Sequence, residues 1–385
     1  MEVRAVAVNG RTYRWPARPV VVVCLDGSAF EYIDRAIAAG VAPYLRSLAG
    51  LKFFRLVESA LPSFTNPNNV SIVTGVPPAV HGISGNFFRD RETGRDVMMN
   101  DPSYLRAETI LSAFGSAGAR VAVVTAKDKL RRLLGSGVSG TCVSMEGEGV
   151  EVYSAALSER TLAEGAKLLT SSPPDVLYLS TSDYVQHKHA PGDAEANRFY
   201  GAIDRWLAEI DRLGATLVVT ADHGMRAKAD ASGRVRAVYL QDVLDGWLGA
   251  DIARVVLPIT DPYVLHHGAL GSCAMVYLSD PDGAAMLALR IQALAGVDIA
   301  VPEAEASRRF DLPPDRIGDI VVFSDGETVI GTRPADHDLS ALDAPLRSHG
   351  GRAEQEVPLF ANRQVSGRRP RHNYDAFDVA LNGCA

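Results

Sequence analysis

The chain has 385 residues, 47% of them hydrophobic, and a formal net charge of -7 at neutral pH. That is enough apolar sequence for one large α/β domain with an insertion, or for two domains, and too much for a chain dominated by disorder. The acidic balance speaks against a nucleic-acid surface, although bound cations can reverse the local field around an anionic substrate.

The opening stretch, MEVRAVAVNGRTYRWPARP, carries charges at Glu2 and Arg4 and lacks a signal-type apolar core. Asn9-Gly10 marks a turn between two short strands. VVVVCL at 20–25 predicts a buried strand closed by Asp26-Gly27. Taken alone, Asp26 reads as the N-cap of a helix running through Arg35, Ala36 and Ile37. Taken with the strand ends further on, it is a candidate metal ligand. Another strand is expected at 53–60. Thr65 then stands in a Pro/Asn-rich turn before a helical run containing Val70, Ile72 and Val73, where free backbone N–H groups can receive a phosphoryl group. A simple capping threonine is the competing reading. Gly75, Gly82 and Gly85 allow tight turns, and Asn86 offers an amide beside them. His81 reads as structural, since no second ligand lies at useful spacing.

RVAVVT at 120–125 predicts the next buried strand, ending in Ala126-Lys127-Asp128-Lys129. The chain has six lysines, and two of them share this turn. Such a pair suits a small dianion or a carboxylate, with a solvated loop as the equal alternative. A polar turn and an amphipathic helix over 141–174 precede the strand DVLYLST at 175–181. Asp183 and His187 follow it four residues apart, on one helix face, which is half of a familiar zinc site. His189 lies close by and reads as supporting or substrate-facing. A helix at 194–213 leads into ATLVVTADHGM at 215–225, where Asp222 and His223 close a short apolar strand. Ligands of parallel sheets sit beyond such carboxyl ends.

After Met225 the pattern weakens. A short helix near 240–247, a strand at 254–258, and strand, helix and strand at 272–278, 283–295 and 319–324 suggest a βαβ-type unit with nothing catalytic inside it. The expected organisation is a catalytic core over 1–259, an inserted cap over 260–335 and the rest of the core over 336–385. His349, before Gly350-Gly351, is the last expected metal contributor, with His337 a weaker, exposed competitor. The tail, 361–385, is expected to pack peripherally. The four cysteines are widely spaced without a CxxC pair, so neither a disulfide framework nor a thiolate zinc site is expected. No apolar run reaches the length of a membrane span, and a cytoplasmic protein without membrane or nucleic-acid partners is expected.

Asp26 after VVVVCL, Thr65 in PSFTNPNN before SIVTG, Asp183 and His187 in DYVQH, Asp222 and His223 in ADHG, and His349 in SHGG occur in one order. Over roughly residues 20–360 the chain thereby resembles the alkaline phosphatase superfamily, in its nucleotide pyrophosphatase/phosphodiesterase branch. The resemblance implies an α/β fold: an alkaline-phosphatase-like core with a mainly parallel sheet sandwiched by helices, plus a small α+β cap. It also implies two zinc ions, one held by Asp183, His187 and His349, the other by Asp26, Asp222 and His223. Thr65 would be the nucleophile and would touch the metal. HGISGNFF, TAKDKL and DYVQHKHAPG look like the branch members that hydrolyse phosphonoacetate. They imply Asn86, Lys127 and Lys129 as substrate contacts beside Thr65, Asp183, His187 and His349, with a phosphothreonine intermediate. Asn86 and the Thr65/Asn66 backbone would then face the phosphoryl oxygens. The branch's diesterases usually place Phe directly after the nucleophile, where this chain has Asn66. A phosphodiesterase or phosphomonoesterase acting on nucleotides or small esters is the alternative. A non-catalytic phosphonate binder ranks below it, because a binder needs no Thr65. A homodimer is a further expectation.

Overall fold

The computed structural model describes residues 4–147, 149–261 and 267–384. Its centre is a seven-stranded sheet in the order Phe53–Glu58, Glu356–Ala361, Thr216–Thr220, Val20–Cys24, Val176–Ser180, Val121–Thr125, Thr141–Ser144. The last five run parallel to one another, and Glu356–Ala361 is antiparallel to both of its neighbours. Four of the parallel strands, VVVVC, VAVVT, VLYLS and TLVVT, are buried at every residue, as strands covered on both faces must be.

Alternation assigns their side chains to two cores. Val20, Val22, Val123, Tyr178 and Val218 face one side, where Val70, Ile72 and Phe114 pack from the helices Thr65–Thr74 and Ile110–Ser116. Val21, Val23, Val124, Leu179 and Val219 face the other side. There they meet Ile33, Leu162 and Ile203 of the helices Phe30–Ala38, Ala155–Ser171 and Ala194–Arg212. The result is a helix–sheet–helix sandwich.

A second sheet, of four strands, follows the order Ala253–Val256, Cys273–Leu278, Ile320–Ser324, Val297–Pro302. All its pairings are antiparallel, so the expected βαβ unit is corrected. Cys273–Leu278 and Val297–Pro302 are not neighbours, because Ile320–Ser324 runs between them. This sheet begins at Ala253, ahead of residue 260. The strand Thr141–Ser144 falls where the sequence reads as a polar turn, and Phe87–Asp90 and Arg95–Met98 pair as an antiparallel hairpin.

The tail is not peripheral. Ala376, Phe377, Val379 and Ala380 are buried in the core that contains Val20 and Val218. Asn373 Nδ2 donates to Asn68 Oδ1 at 3.2 Å and to the Ala221 carbonyl at 3.1 Å. The basic, polar character of 361–372 conceals this apolar anchor. The four cysteines are free, and among the described residues no helix is long and apolar enough to cross a membrane.

Candidate metal centre and active site

Parallel strands deliver the residues at their carboxyl ends to one edge of the sheet. Asp26, Lys127, Asp183 and the pair Asp222-His223 each stand just past such a strand. Glu356–Ala361 runs the other way, so the residues that precede it, His349 among them, reach the same edge. Thr65 opens the Thr65–Thr74 helix there. Two glycines permit the close approach. A Cβ on Gly350, at φ +118°, would stand 2.4 Å from the Phe64 ring, and one on Gly27, at φ +70°, would stand 2.8 Å from Asp183 Cβ. Asp26 does not cap the next helix, whose N-cap is Ala29.

Three imidazoles share one arrangement. Nδ1 of His187 donates to the Arg347 carbonyl at 2.8 Å, that of His223 to Gly224 at 2.9 Å, and that of His349 to Ser63 at 2.8 Å. Each ring is thereby fixed with Nε2 turned to the carboxylates, the orientation a metal ligand needs. Nε2 of His187 lies 3.1 Å and that of His349 3.8 Å from Asp183 Oδ2. Nε2 of His223 lies 3.3 Å from Asp26 Oδ1 and 3.7 Å from Asp222 Oδ2. The His223 and His349 rings stack at 3.6 Å. Potential ligand atoms converge in two groups, Asp183/His187/His349 and Asp26/Asp183/His223, with every pair within 4.8 Å. Asp183 is common to both. Asp222 stands behind His223, its carboxylate taking hydrogen bonds from the Gly27 and His223 amides and from Asn69 Nδ2.

The residues fit a cation. Asp26 Oδ1 is fully buried and accepts no hydrogen bond among the described residues. It faces His223 Nε2, so a proton or a metal ion must lie between these two acceptors. Burial alone would lower the His223 pKa, but Asp222 and Asp26 outweigh it and hold it up at about 9. Burial and the neighbouring Asp26 push the Asp222 carboxyl well above the usual carboxylate range. Burial would also raise Asp183, yet Lys127 and His187 hold it well below that range. Lys127 Nζ lies 2.9 Å from Asp183 Oδ1 and 3.3 Å from Asp26 Oδ2. Three buried carboxylates against one lysine form an electron-rich cluster of the kind that takes a hard or borderline cation.

Thr65 Oγ1 lies 3.4 Å from His223 Nε2. Asn86 Oδ1 accepts from the Asn66 amide at 3.0 Å, which leaves the Asn86 NH2 group as the donor facing the cavity. The Asn66 amide is thus committed to Asn86, and the expectation that it faces phosphoryl oxygens directly is corrected. Thr65, Asn86, Lys127, Lys129, Asp183, His187 and His349 line one small cavity, together with Ile259, Asp261 and His267. Lys129 pairs there with Asp261. A larger cleft of about 440 Å³ opens beside it and shares Lys127, Lys129 and Asp261.

Every expected site residue therefore reaches this edge. His189 does not line the cavity, and its carbonyl accepts from the Tyr32 hydroxyl at 2.7 Å. His337 is buried rather than exposed, and its Nδ1 donates to the Gly268 carbonyl at 2.7 Å. His81 is structural, taking the Ile83 amide on Nδ1. Asp261 and His267 fall in a stretch whose sequence shows no catalytic pattern. The sequence offers no specific signal for them, since the pair His267-Gly268 has the form of the structural His81-Gly82 as much as of His223-Gly224 and His349-Gly350. Asn69 is another residue that sequence reasoning misses. Its Nδ2 donates to Asp222 at 3.0 Å, and its Oδ1 accepts from the Tyr178 and Ser180 hydroxyls.

The model of the type I phosphodiesterase / nucleotide pyrophosphatase family matches residues 20–352. An ectonucleotide pyrophosphatase/phosphodiesterase of Caenorhabditis elegans is 28% identical over 265 residues, 63% of this chain and 33% of that protein. The mouse ectonucleotide pyrophosphatase/phosphodiesterase family member 1 is 26% identical over 246 residues, 58% of this chain and 26% of that protein. The chain thus spans about a third or less of the length of these curated relatives. Crystal structures of phosphonoacetate hydrolase from Sinorhizobium meliloti, in complex with phosphonoformate and with phosphonoacetate, superpose with a TM-score of 0.96 at 52% identity, covering 100% of both chains. Murine ectonucleotide pyrophosphatase/phosphodiesterase 5 in complex with AMP shares the fold, with a TM-score of 0.69 at 17% identity over 95% of each chain.

Proposed function

The chain belongs to the type I phosphodiesterase / nucleotide pyrophosphatase family, and from that premise we propose that it hydrolyses the carbon–phosphorus bond of phosphonoacetate to acetate and phosphate. Its architecture is the alkaline-phosphatase-like α/β fold of that family. The observation that carries the substrate is the cavity itself. It brings two lysines, Lys127 and Lys129, together with Thr65 and Asn86 beside a buried Asp/His cluster. Likeness over the whole chain to the hydrolase with bound phosphonoacetate supports the same reading.

We assign two zinc ions to the cluster. Asp183, His187 and His349 would hold one, and Asp26 and His223 the other, with Asp222 as the remaining ligand. Bound zinc supplies Lewis acidity here, lowering the pKa of a hydroxyl and offsetting charge on phosphoryl oxygens. Thr65 Oγ1 attacks phosphorus, and the carbon–phosphorus electron pair leaves with the methylene carbon. A carbanion is a poor leaving group, but its charge spreads into the adjacent carboxylate. The ammonium groups of Lys127 and Lys129 stabilise that charge as it grows. The methylene takes a proton from solvent, balancing the one the Thr65 hydroxyl gives up, and departs as acetate. The Asn86 NH2 group hydrogen-bonds a phosphoryl oxygen, and water then hydrolyses the phosphothreonine to free phosphate. A two-lysine wall suits a substrate with a carboxylate beside phosphorus and has no such purpose for a simple ester.

The reading is tested by comparing phosphonoacetate with a nitrophenyl phosphate diester on one metal-loaded preparation. Cleavage of the diester alone would move the assignment to a phosphodiesterase, the activity named for the curated relatives.

A further inference from the structure

Asn69 is fully buried on the Thr65–Thr74 helix, one turn past Thr65, and its side chain makes all four hydrogen bonds open to an amide. Nδ2 donates to the Thr65 carbonyl and to Asp222 Oδ2, both at 3.0 Å. Oδ1 accepts from the Tyr178 hydroxyl at 2.7 Å and from the Ser180 hydroxyl at 2.9 Å. The amide has one orientation only. Turned over, its oxygen would face the Thr65 carbonyl, which has no proton to give.

These bonds decide what Asp222 can offer a metal ion. Its Oδ1 takes the Gly27 amide at 3.1 Å and the His223 amide at 3.0 Å, which occupies both lone pairs. Oδ2 takes the bond from Asn69 and keeps one lone pair, and it lies 3.7 Å from His223 Nε2. A carboxylate held in this way ligates through a single oxygen, and the donor on that oxygen sets the direction of the lone pair left over. The other asparagines of this turn serve the backbone. Asn68 Nδ2 donates to the Ala60 and Phe64 carbonyls, and Asn66 Nδ2 to the Met99 carbonyl. Of the four bonds made by Asn69, none goes to Asp183, His187 or His349.

We propose that Asn69 is a positioning residue of the metal centre: it holds Asp222 as a one-oxygen ligand, so that one of the two zinc ions depends on it and the other does not. The proposal rests on the two-zinc assignment above and not on the choice of substrate. Tyr178 and Ser180 belong to the strand that leads to Asp183, so the far side of the same amide is anchored to the sheet. That anchor has two members. Losing the Tyr178 hydroxyl leaves Ser180 to hold the amide in place, whereas losing the amide leaves Asp222 Oδ2 without its donor.

The experiment titrates zinc into metal-free wild type, Asn69→Ala, Asn69→Ser and Tyr178→Phe in competition with a chromophoric chelator. Tyr178→Phe also deletes a buried hydrogen bond of this amide, and so controls for a loss of stability alone. Wild type should take up two zinc ions. Both Asn69 variants should bind one of the two equivalents roughly 10- to 100-fold more weakly and the other as in wild type. Tyr178→Phe should keep both. A second measurement needs no variant to fold: in asparagine-labelled wild type, the Asn69 side-chain amide signals in 15N NMR should shift with one zinc equivalent and not with the other. Equal weakening of both equivalents, undiminished affinity in the Asn69 variants, the same loss in Tyr178→Phe, or amide signals indifferent to zinc would each overturn the proposal. A wild type that binds fewer than two zinc ions would overturn it together with the two-zinc assignment. If the expected zinc pattern appears while wild type leaves phosphonoacetate intact, the role of Asn69 stands and the substrate reading alone falls.

Discussion

Thr65 Oγ1 lies 3.4 Å from His223 Nε2, and His223 Nδ1 is tied to the Gly224 carbonyl at 2.9 Å. The hydroxyl therefore meets the Nε2 side of a ring that cannot swing away, at the start of a helix whose ten residues are all buried. Thr65→Ala should lower turnover by about 10⁴-fold or more, the scale seen when a nucleophile is removed. Zinc content should persist, because the aspartates and histidines remain. Steady-state kinetics with metal analysis on one preparation checks this, and undiminished turnover would remove Thr65 from the chemistry.

Lys129 pairs with the buried Asp261, and Lys127 with Asp26 and Asp183. Replacing either lysine by alanine should raise KM or lower kcat for phosphonoacetate roughly 10- to 100-fold, the worth of a hydrogen bond to a charged group. An aryl phosphate ester lacks the carboxylate and should be less affected. Equal losses on the two substrates would count against carboxylate recognition.

Lys228 and Glu354 form an ion pair at 2.9 Å with both side chains fully buried. Glu354 also accepts the Gly351 amide on Oε2 and the Gly224 amide on its carbonyl, so it joins the loops that carry His349 and His223. Lys228→Met leaves a buried carboxylate uncompensated and should cost about 3–5 kcal/mol. The double variant with Glu354→Gln should recover part of it. Urea denaturation of the three proteins measures this, and a single variant as stable as wild type would show that the pair is dispensable.

His81 is fully buried, bonded to Ser71 Oγ at 2.8 Å and to the Ile83 amide at 3.1 Å. Burial holds its pKa down at about 3, against roughly 6.5 in an unfolded chain. Between those values the unfolded chain binds the proton and the folded one does not. Its contribution to stability is thus complete above about pH 6.5 and is lost as the pH falls toward 3, at up to about 1.4 kcal/mol per unit. His81→Asn should lose stability less steeply over that window in denaturation series at several pH values. An identical slope in both proteins would contradict this.

The strands and their ends are legible in the sequence because VVVVC, VAVVT, VLYLS and TLVVT are unbroken runs of β-formers that stop at polar turns. The same pattern locates Asp26, Asp183, Asp222 and His223, since a parallel sheet gathers the residues just past each strand at one edge. Pairings set by distant partners are not legible. Thr141–Ser144 is a polar edge strand with no apolar run to announce it. The second sheet needs Val297–Pro302 to lie outside Ile320–Ser324, which no local pattern encodes. Phe377 and Asn373 come after a basic stretch, so their burial depends on a socket formed far earlier in the chain, by Asn68 among others. His267 and Asp261 escape sequence reasoning for a similar reason: only folding of the second sheet against the first brings them to the cavity that Lys129 lines.

The most direct measurement tracks phosphonoacetate by 31P NMR with zinc-loaded protein and with a chelated sample alongside. The expected result is zinc-dependent conversion of the phosphonate signal into that of inorganic phosphate, with one acetate formed per phosphate. A phosphonate signal that persists in the loaded sample, while the same preparation cleaves a nitrophenyl phosphate diester, would contradict carbon–phosphorus hydrolysis.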